Sequence, residues 1–162
     1  MAILGDVKEA LRIRNTAMDL EVLELINAVK EDLKQSGVIK IDDTNVLIKR
    51  AITLYCKANF GYDNPDAIRF ADNYKMLKEH LALSSDYNCY KVTFTVMHNS
   101  VPVKDAKVTV DSNVIITNSL GVAIHEVKQT NVDANYIVTH PDYESYSSYI
   151  YVNLDKSVTV VI

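Results

Sequence analysis

Ser84-Ser85-Asp86-Tyr87-Asn88-Cys89-Tyr90-Lys91-Val92-Thr93-Phe94-Thr95-Val96 is where the chain changes its period. Upstream, apolar residues recur every three or four positions, as on one face of a helix. From Tyr90 they alternate strictly with Lys91, Thr93 and Thr95, as on a half-buried strand. The polar Ser84-Ser85-Asp86 reads as a hinge between two regimes. Composition follows the same division: residues 1–88 hold 11 of the 13 Leu and 5 of the 20 Val, and the remainder holds 2 Leu and 15 Val. Leu favours helices and Val favours strands, so the expected organisation is a helical domain over 1–88 and an all-β domain over 89–162. Charge agrees, since 26 of the 38 charged side chains fall in residues 1–88, where solvated helix faces need them.

Working back from the hinge, four helices are expected. Asp6 and Glu9 form a D-x-x-E pattern suited to opening a short helix through Leu11, and Asp19 is placed to cap the next. Val22, Ile26, Val29 and Leu33 make a one-face apolar stripe that ends at Gly37. A third helix is predicted from Thr44 to Phe60, with Leu47, Ala51, Leu54, Tyr55 and Ala58 inward and Gly61 as its stop. Asn64, Pro65 and Asp66 mark the start of a fourth, as cap, first helical residue and complement to the positive helix end. Its buried face is read as Ala67, Phe70, Ala71, Tyr74, Leu77 and Leu81.

Working forward, strands are predicted at Lys107–Val110, Val114–Thr117, Val122–Val127, Tyr136–His140, Ser145–Val152 and Ser157–Ile162, after the one that begins at Tyr90. Seven short strands separated by turn residues point to an antiparallel β-sandwich.

Composition also excludes function classes. The net charge is −4, with 48% hydrophobic and 23% charged residues, which describes a folded chain and no general nucleic-acid binder. The four glycines, at 5, 37, 61 and 121, are too scattered for a phosphate-cradling loop. Cys56 and Cys89 form no C-x-x-C and no disulfide framework, as expected of a chain made in a reducing cytoplasm. No signal peptide and no membrane span are expected, because no apolar run approaches the length of either. His80, His98, His125 and His140 lack metal-ligand spacing, and His125-Glu126 is followed by Gln129 where a zinc-binding H-E-x-x-H would need a second His. No catalytic residue, metal or cofactor is expected, and the protein is read as no enzyme.

Two features point to contact surfaces. No acidic residue occurs between Thr44 and Tyr62, while Lys49, Arg50 and Lys57 occur there, a basic stripe suited to phosphates or an acidic protein surface as well as to a merely solvated face. Tyr143, Tyr146, Tyr149 and Tyr151 lie close together in sequence, Tyr149 and Tyr151 on the face of their strand opposite Ile150 and Val152, and Tyr143, Tyr149 and Tyr151 are the candidate surface-binding tyrosines, since an exposed ring offers apolar area with a polar tip.

Beyond these patterns, Val7-Lys8-Glu9-Ala10-Leu11-Arg12-Ile13 and Asp19-Leu20-Glu21-Val22 resemble the opening of phage head–tail connector proteins, also called phage DNA-packaging proteins. Ile48-Lys49-Arg50-Ala51-Ile52, the run Tyr55–Ala67 (YCKANFGYDNPDA) and Leu77-Lys78-Glu79-His80-Leu81 resemble the form of this family in tailed phages of Gram-positive hosts. The resemblance spans about residues 1–88. It implies a structural virion protein: a ring, typically of twelve copies, beneath the portal protein. That ring extends the channel, passes double-stranded DNA without sequence specificity, and joins the head to a downstream head–tail joining or tail protein. It brings no catalytic residues and no membrane, and it implies a place at the head–tail junction of virions assembled in the host cytoplasm. Lys49, Arg50 and Lys57 then become candidate portal or DNA contacts. The remaining residues depart from the usual family member. Pro102-Val103-Lys104-Asp105-Ala106-Lys107-Val108, Thr117–Gly121 and His140-Pro141-Asp142-Tyr143-Glu144 resemble immunoglobulin-like or carboxypeptidase-regulatory-like sandwiches, motifs too widespread to carry a function of their own, so that three roles stay open for residues 89–162: outward decoration, stabilisation of the connector, or weak adhesion to host cell-wall glycan. That last role is the alternative reading of the chain, an accessory binding module.

Overall fold

The structure, a computed structural model, describes residues 2–129 and 131–162. The chain divides into two compact units, Met1–Asn88 and Cys89–Ile162.

The first unit is helical: α1 (Ala2–Leu11), α2 (Asp19–Gln35), α3 (Val46–Asn59), α4 (Ala67–Leu83) and a single turn, α5 (Ser85–Asn88). The stripe Val22, Ile26, Val29 and Leu33 is buried as its spacing predicts. Helix α3 is the central element, packed against α1, α2 and α4. It therefore buries more than one stripe, namely Ile48, Ala51, Ile52, Leu54 and Cys56. The expected inward Leu47 is instead exposed. Asn45 sets that phase, because its side-chain oxygen accepts from the amides of Leu47 (2.9 Å) and Ile48 (3.2 Å) and starts the helix two residues later than Thr44.

The other expected caps also differ. Asp6 lies in the middle of α1, since the helix starts upstream of it and Ile3 and Val7, on either side, carry one buried face. Asp19 sits in the first turn of α2 and pairs with Lys8. At α4, Asn64 forms a turn instead, accepting from the Asp66 amide at 3.0 Å, with Asp66 as the residue before the helix. Ala71, expected inward, is exposed, while Tyr74 and Leu81 are buried. Of the residues read as a hinge, Ser84 caps α4 and Ser85 and Asp86 belong to α5. The Tyr87 carbonyl accepts from the amides of Ile39 (2.9 Å) and Lys40 (3.0 Å), and this fastens the last turn to the helical unit and raises the helix count from four to five.

The second unit is a sandwich of two four-stranded sheets. Its strands are β1 (Tyr90–His98), β2 (Val101–Pro102), β3 (Lys107–Val110), β4 (Asn113–Ile116), β5 (Val122–Val127), β6 (Val132–His140), β7 (Tyr143–Val152) and β8 (Lys156–Val161). One sheet has β1 between β8 on one side and β5 with the short β2 on the other; the second runs β4-β3-β6-β7. All pairs are antiparallel except β1 with β8, which are parallel from Val92↔Lys156 to Met97↔Val161. The chain reaches β8 from β7 in the opposite sheet, a crossover that permits the parallel direction. Val92, Phe94 and Val96 face the core with Val108, Val110, Ala134, Tyr136, Val138, Val152 and Val160, and the Phe94 and Tyr136 rings lie 5.0 Å apart.

Strand β2 has no strand-like pattern and was not expected. It exists because Asn99 (φ 47°) and Ser100 (φ 66°) both take left-handed conformations, the two-residue turn whose twist suits a hairpin. Gly121 (φ 70°) lies where a Cβ would stand 2.5 Å from the Val96 carbonyl oxygen, so only glycine lets β1 and the turn before β5 approach this closely. Buried Thr117 holds the segment between β2 and β3, donating to the Val103 carbonyl (2.7 Å) and accepting from the Ala106 amide (2.9 Å).

Candidate functional site

The three cations of the basic stripe have three different surroundings. Lys49, in the first turn of α3, is paired with Asp6 of α1, Nζ to Oδ2 at 2.5 Å. Lys57, two turns further on, is half-buried with its ammonium 5.4 Å from the centre of the Phe70 ring, a cation–π contact that holds it against α4. Its carbonyl accepts from the Asn64 side chain at 2.6 Å, which ties the α3–α4 loop back onto α3. Arg50 is exposed and, among the described residues, makes no ion pair. Of the three, among the described residues, Arg50 alone is exposed with neither an ion pair nor a ring contact.

The helical unit carries a cation that the stripe does not include. Arg12 follows α1 with φ 62°, a backbone conformation glycine usually supplies at a helix end; its amide bonds the Glu9 carbonyl and the next amide reaches back to Lys8. Arg12 lines two open clefts. One, of about 520 Å³, lies between the end of α1 and the α3–α4 loop, with Lys57, Phe60, Tyr62, Asp63 and Phe70. The other, of about 820 Å³, runs along α1 with Leu4, Lys8, Ile13 and Arg14. Tyr62 is fully exposed on the loop that Gly61 (φ 81°) turns. Nothing in a helical pattern distinguishes Arg12, because its left-handed backbone is set by the α1 cap.

Between α2 and α4, the Tyr74 hydroxyl and the Lys78 ammonium both donate to the Asp32 carboxylate, the latter at 2.9 Å. Burial by itself would raise the Asp32 pKa, and the bonds from Tyr74 and Lys78, with the Lys78 charge, outweigh it and hold the carboxyl below its ordinary value. Burial, then the bond to Asp32, pushes the Tyr74 phenol well above its ordinary range. This cluster is a structural tie. Cys56 is buried, and burial pushes its thiol up to about 12, so it stays protonated. Among the described residues, no group of three or more His, Cys, Asp and Glu side chains is placed to hold a metal ion, and no helix is long and apolar enough to cross a membrane.

The structure also separates the candidate tyrosines. Tyr143 is half-buried and stacked on His98 (ring centres 4.3 Å, planes 21° apart), with His140 at 5.0 Å. It is part of the sandwich's packing. Tyr149 and Tyr151 stand on the outer face of the second sheet, Tyr149 being 72% exposed, and the Tyr151 hydroxyl donates to Asn131 at 3.0 Å. Register places Val114, Thr109, Ile137 and Ser147 in one row across that face, with Tyr149 opposite Asn135 in the next. Val114, Ile116 and Ile137 are exposed on the same face, interleaved with Lys107, Thr109, Asn135 and Ser147.

Residues 3–88, the whole helical unit but its first two residues, match the model of the phage connector protein family. The chain belongs to that family. The recognition thus rests on the helical unit, where Lys49, Arg50, Lys57 and the Gly61–Asp66 loop lie, and the sandwich lies outside the matched residues. No curated protein matches this connector. Among solved structures, a crystal structure of (S)-allantoin synthase is similar with a TM-score of 0.36 and 7% identity, over 88% of this chain and 67% of that one. A likeness so slight carries no argument.

Proposed function

We propose that the protein is a virion subunit that assembles as a ring beneath the portal of a tailed phage, lengthens the DNA channel and joins the filled head to the tail. The observation that carries this reading is the family match over residues 3–88, which spans the helical unit. The unit's chemistry fits an assembly role. It presents exposed apolar side chains, among them Leu20, Val46, Tyr62, Ile68, Met76 and Leu83, on a small helical body that gains burial from neighbours. The protein acts without catalysis, metal or cofactor, and the DNA that passes is contacted through its phosphates, without sequence preference. Its partners are the portal protein, its own copies, twelve in the ring, and a downstream joining or tail protein. The sandwich projects outward as decoration or as a brace for the junction.

A phage lacking this gene tests the reading. The expected particles are DNA-filled or leaking heads and free tails, joined again when the protein is supplied. Complete infectious virions without it would overturn the reading.

A second reading, in which the sandwich adheres to host cell-wall glycan, is favoured by one observation, the exposed Tyr149 and Tyr151 beside Ile137. Calorimetric titration of the full chain with cell-wall glycan fragments tests it. Binding lost in a Tyr149→Ala, Tyr151→Ala variant supports it, and no heat with the unaltered chain overturns it.

A further inference from the structure

The first three turns of α2 and the start of α3 are opposites in charge. From Asp19 to Val29 the chain has Asp19, Glu21 and Glu24 and no base; from Thr44 to Tyr62 it has Lys49, Arg50 and Lys57 and no acid. Neutralisation within the subunit leaves one side of each pattern open. Asp19 is taken by Lys8 and Lys49 by Asp6, while Glu21, Glu24 and Arg50 remain exposed. Each patch also carries apolar side chains that its own subunit leaves bare: Leu20 (70% exposed) and Leu23 on α2, Val46 (78% exposed) and Leu47 on α3. Leu20 and Leu23 fall out of phase with the buried stripe Val22, Ile26, Val29 and Leu33, so no rotation of α2 buries both sets.

Both patches lie on helices tied to α1. Lys8 reaches the start of α2 and Asp6 reaches the start of α3. Positions 6 and 8 of a helix are about 200° apart around its axis. Helix α1 thus holds the start of α2, which carries the acidic patch, and the start of α3, which carries the basic one, through residues on different faces.

We infer that the occupant of each patch is the other patch on a second copy of this chain: Leu20, Leu23 and Glu24 of one subunit dock on Val46, Leu47 and Arg50 of the next. Charge complementarity selects the partner and the exposed apolar residues supply the burial. Because two different surfaces meet, the contact is head-to-tail and closes into a ring when the rotation per step permits. This inference rests on the connector reading and assigns its subunit contact to named residues.

The test is light scattering on the full chain over a range of concentrations, alone and with portal protein. It compares the unaltered chain, Glu24→Lys, Arg50→Glu and an equimolar mixture of the two variants. Both substitutions fall on exposed positions, and circular dichroism checks that each variant folds. Each variant alone should self-associate at least about tenfold more weakly, since like charges now face each other. The mixture should recover, because every junction again joins opposite charges. Variants that assemble as well as the unaltered chain, or a mixture no better than its folded components, would overturn the inference, as would an unaltered chain that never self-associates. Portal binding by the unaltered chain and both variants alike, one subunit at a time, would overturn it while leaving the connector reading standing.

Discussion

The Lys49 ammonium lies 2.5 Å from the Asp6 carboxylate and joins the first turn of α3 to the middle of α1. A lysine so engaged is a brace between helices before it is a contact for anything else. Lys49→Met is expected to cost no more than about 1 kcal/mol in urea unfolding, since the pair is partly exposed to solvent. The same change should leave assembly intact, whereas Arg50→Glu should impair it. Equal loss of assembly from both would return Lys49 to the contact surface.

Asp32 contributes to the pH dependence of the helical unit. Its folded-state carboxyl is depressed below the ordinary value of 3.8, so the stability it contributes is present above about pH 4 and is lost as pH falls through the depressed value. Tyr74 is shifted the other way, so its contribution holds through neutral pH and is lost as pH rises past the ordinary phenol value of 10.0. In Asp32→Asn the acid dependence should flatten and the alkaline one weaken, since the burial of Tyr74 remains, with a loss of about 1 kcal/mol at neutral pH. Urea unfolding followed at 222 nm from pH 3 to 11 checks this, and an unchanged pH profile would contradict it.

Two glycine substitutions should have opposite signs. Gly5→Ala places a methyl in open space on α1 and should stabilise by about 0.5–1 kcal/mol. Gly121→Ala drives a Cβ to 2.5 Å from the Val96 carbonyl at a positive φ and should destabilise the sandwich by at least about 2 kcal/mol. Thermal unfolding of the two variants decides it.

Much of this architecture was legible in the sequence because its strongest signals are periodic. The α2 stripe and the alternation from Tyr90 to Val96 each name a buried face, and the structure buries them. What was not legible depended on contacts across the fold. Leu47 turned outward because Asn45 sets the phase of α3, and Ala71 faces solvent although it lies within the expected stripe. Ser85–Asn88 is helical because Tyr87 meets residues 39 and 40, nearly fifty positions away. Strand β2 depends on two left-handed residues, Asn99 and Ser100, neither of them glycine. The candidate site divides likewise: the absence of acid from Thr44 to Tyr62 was visible, but the engagement of Lys49 by Asp6 and of Tyr143 by His98 and His140 was not.

Those ring contacts separate the tyrosines experimentally. Tyr143→Ala should destabilise the sandwich by about 2 kcal/mol or more, because it removes a partly buried ring stacked on His98. Tyr149→Ala, on the open face, should change stability by no more than about 0.5 kcal/mol. Chemical unfolding of each variant measures the difference, and equal costs would contradict the packing described for Tyr143.

The most direct test of the connector account is to image the full chain bound to the portal protein of the same phage by electron microscopy, with particle mass from light scattering. The account predicts a closed ring of this chain seated coaxially on the portal, with the helical units forming the ring and the sandwiches at its periphery. A chain that stays monomeric and unbound beside an intact portal would contradict it.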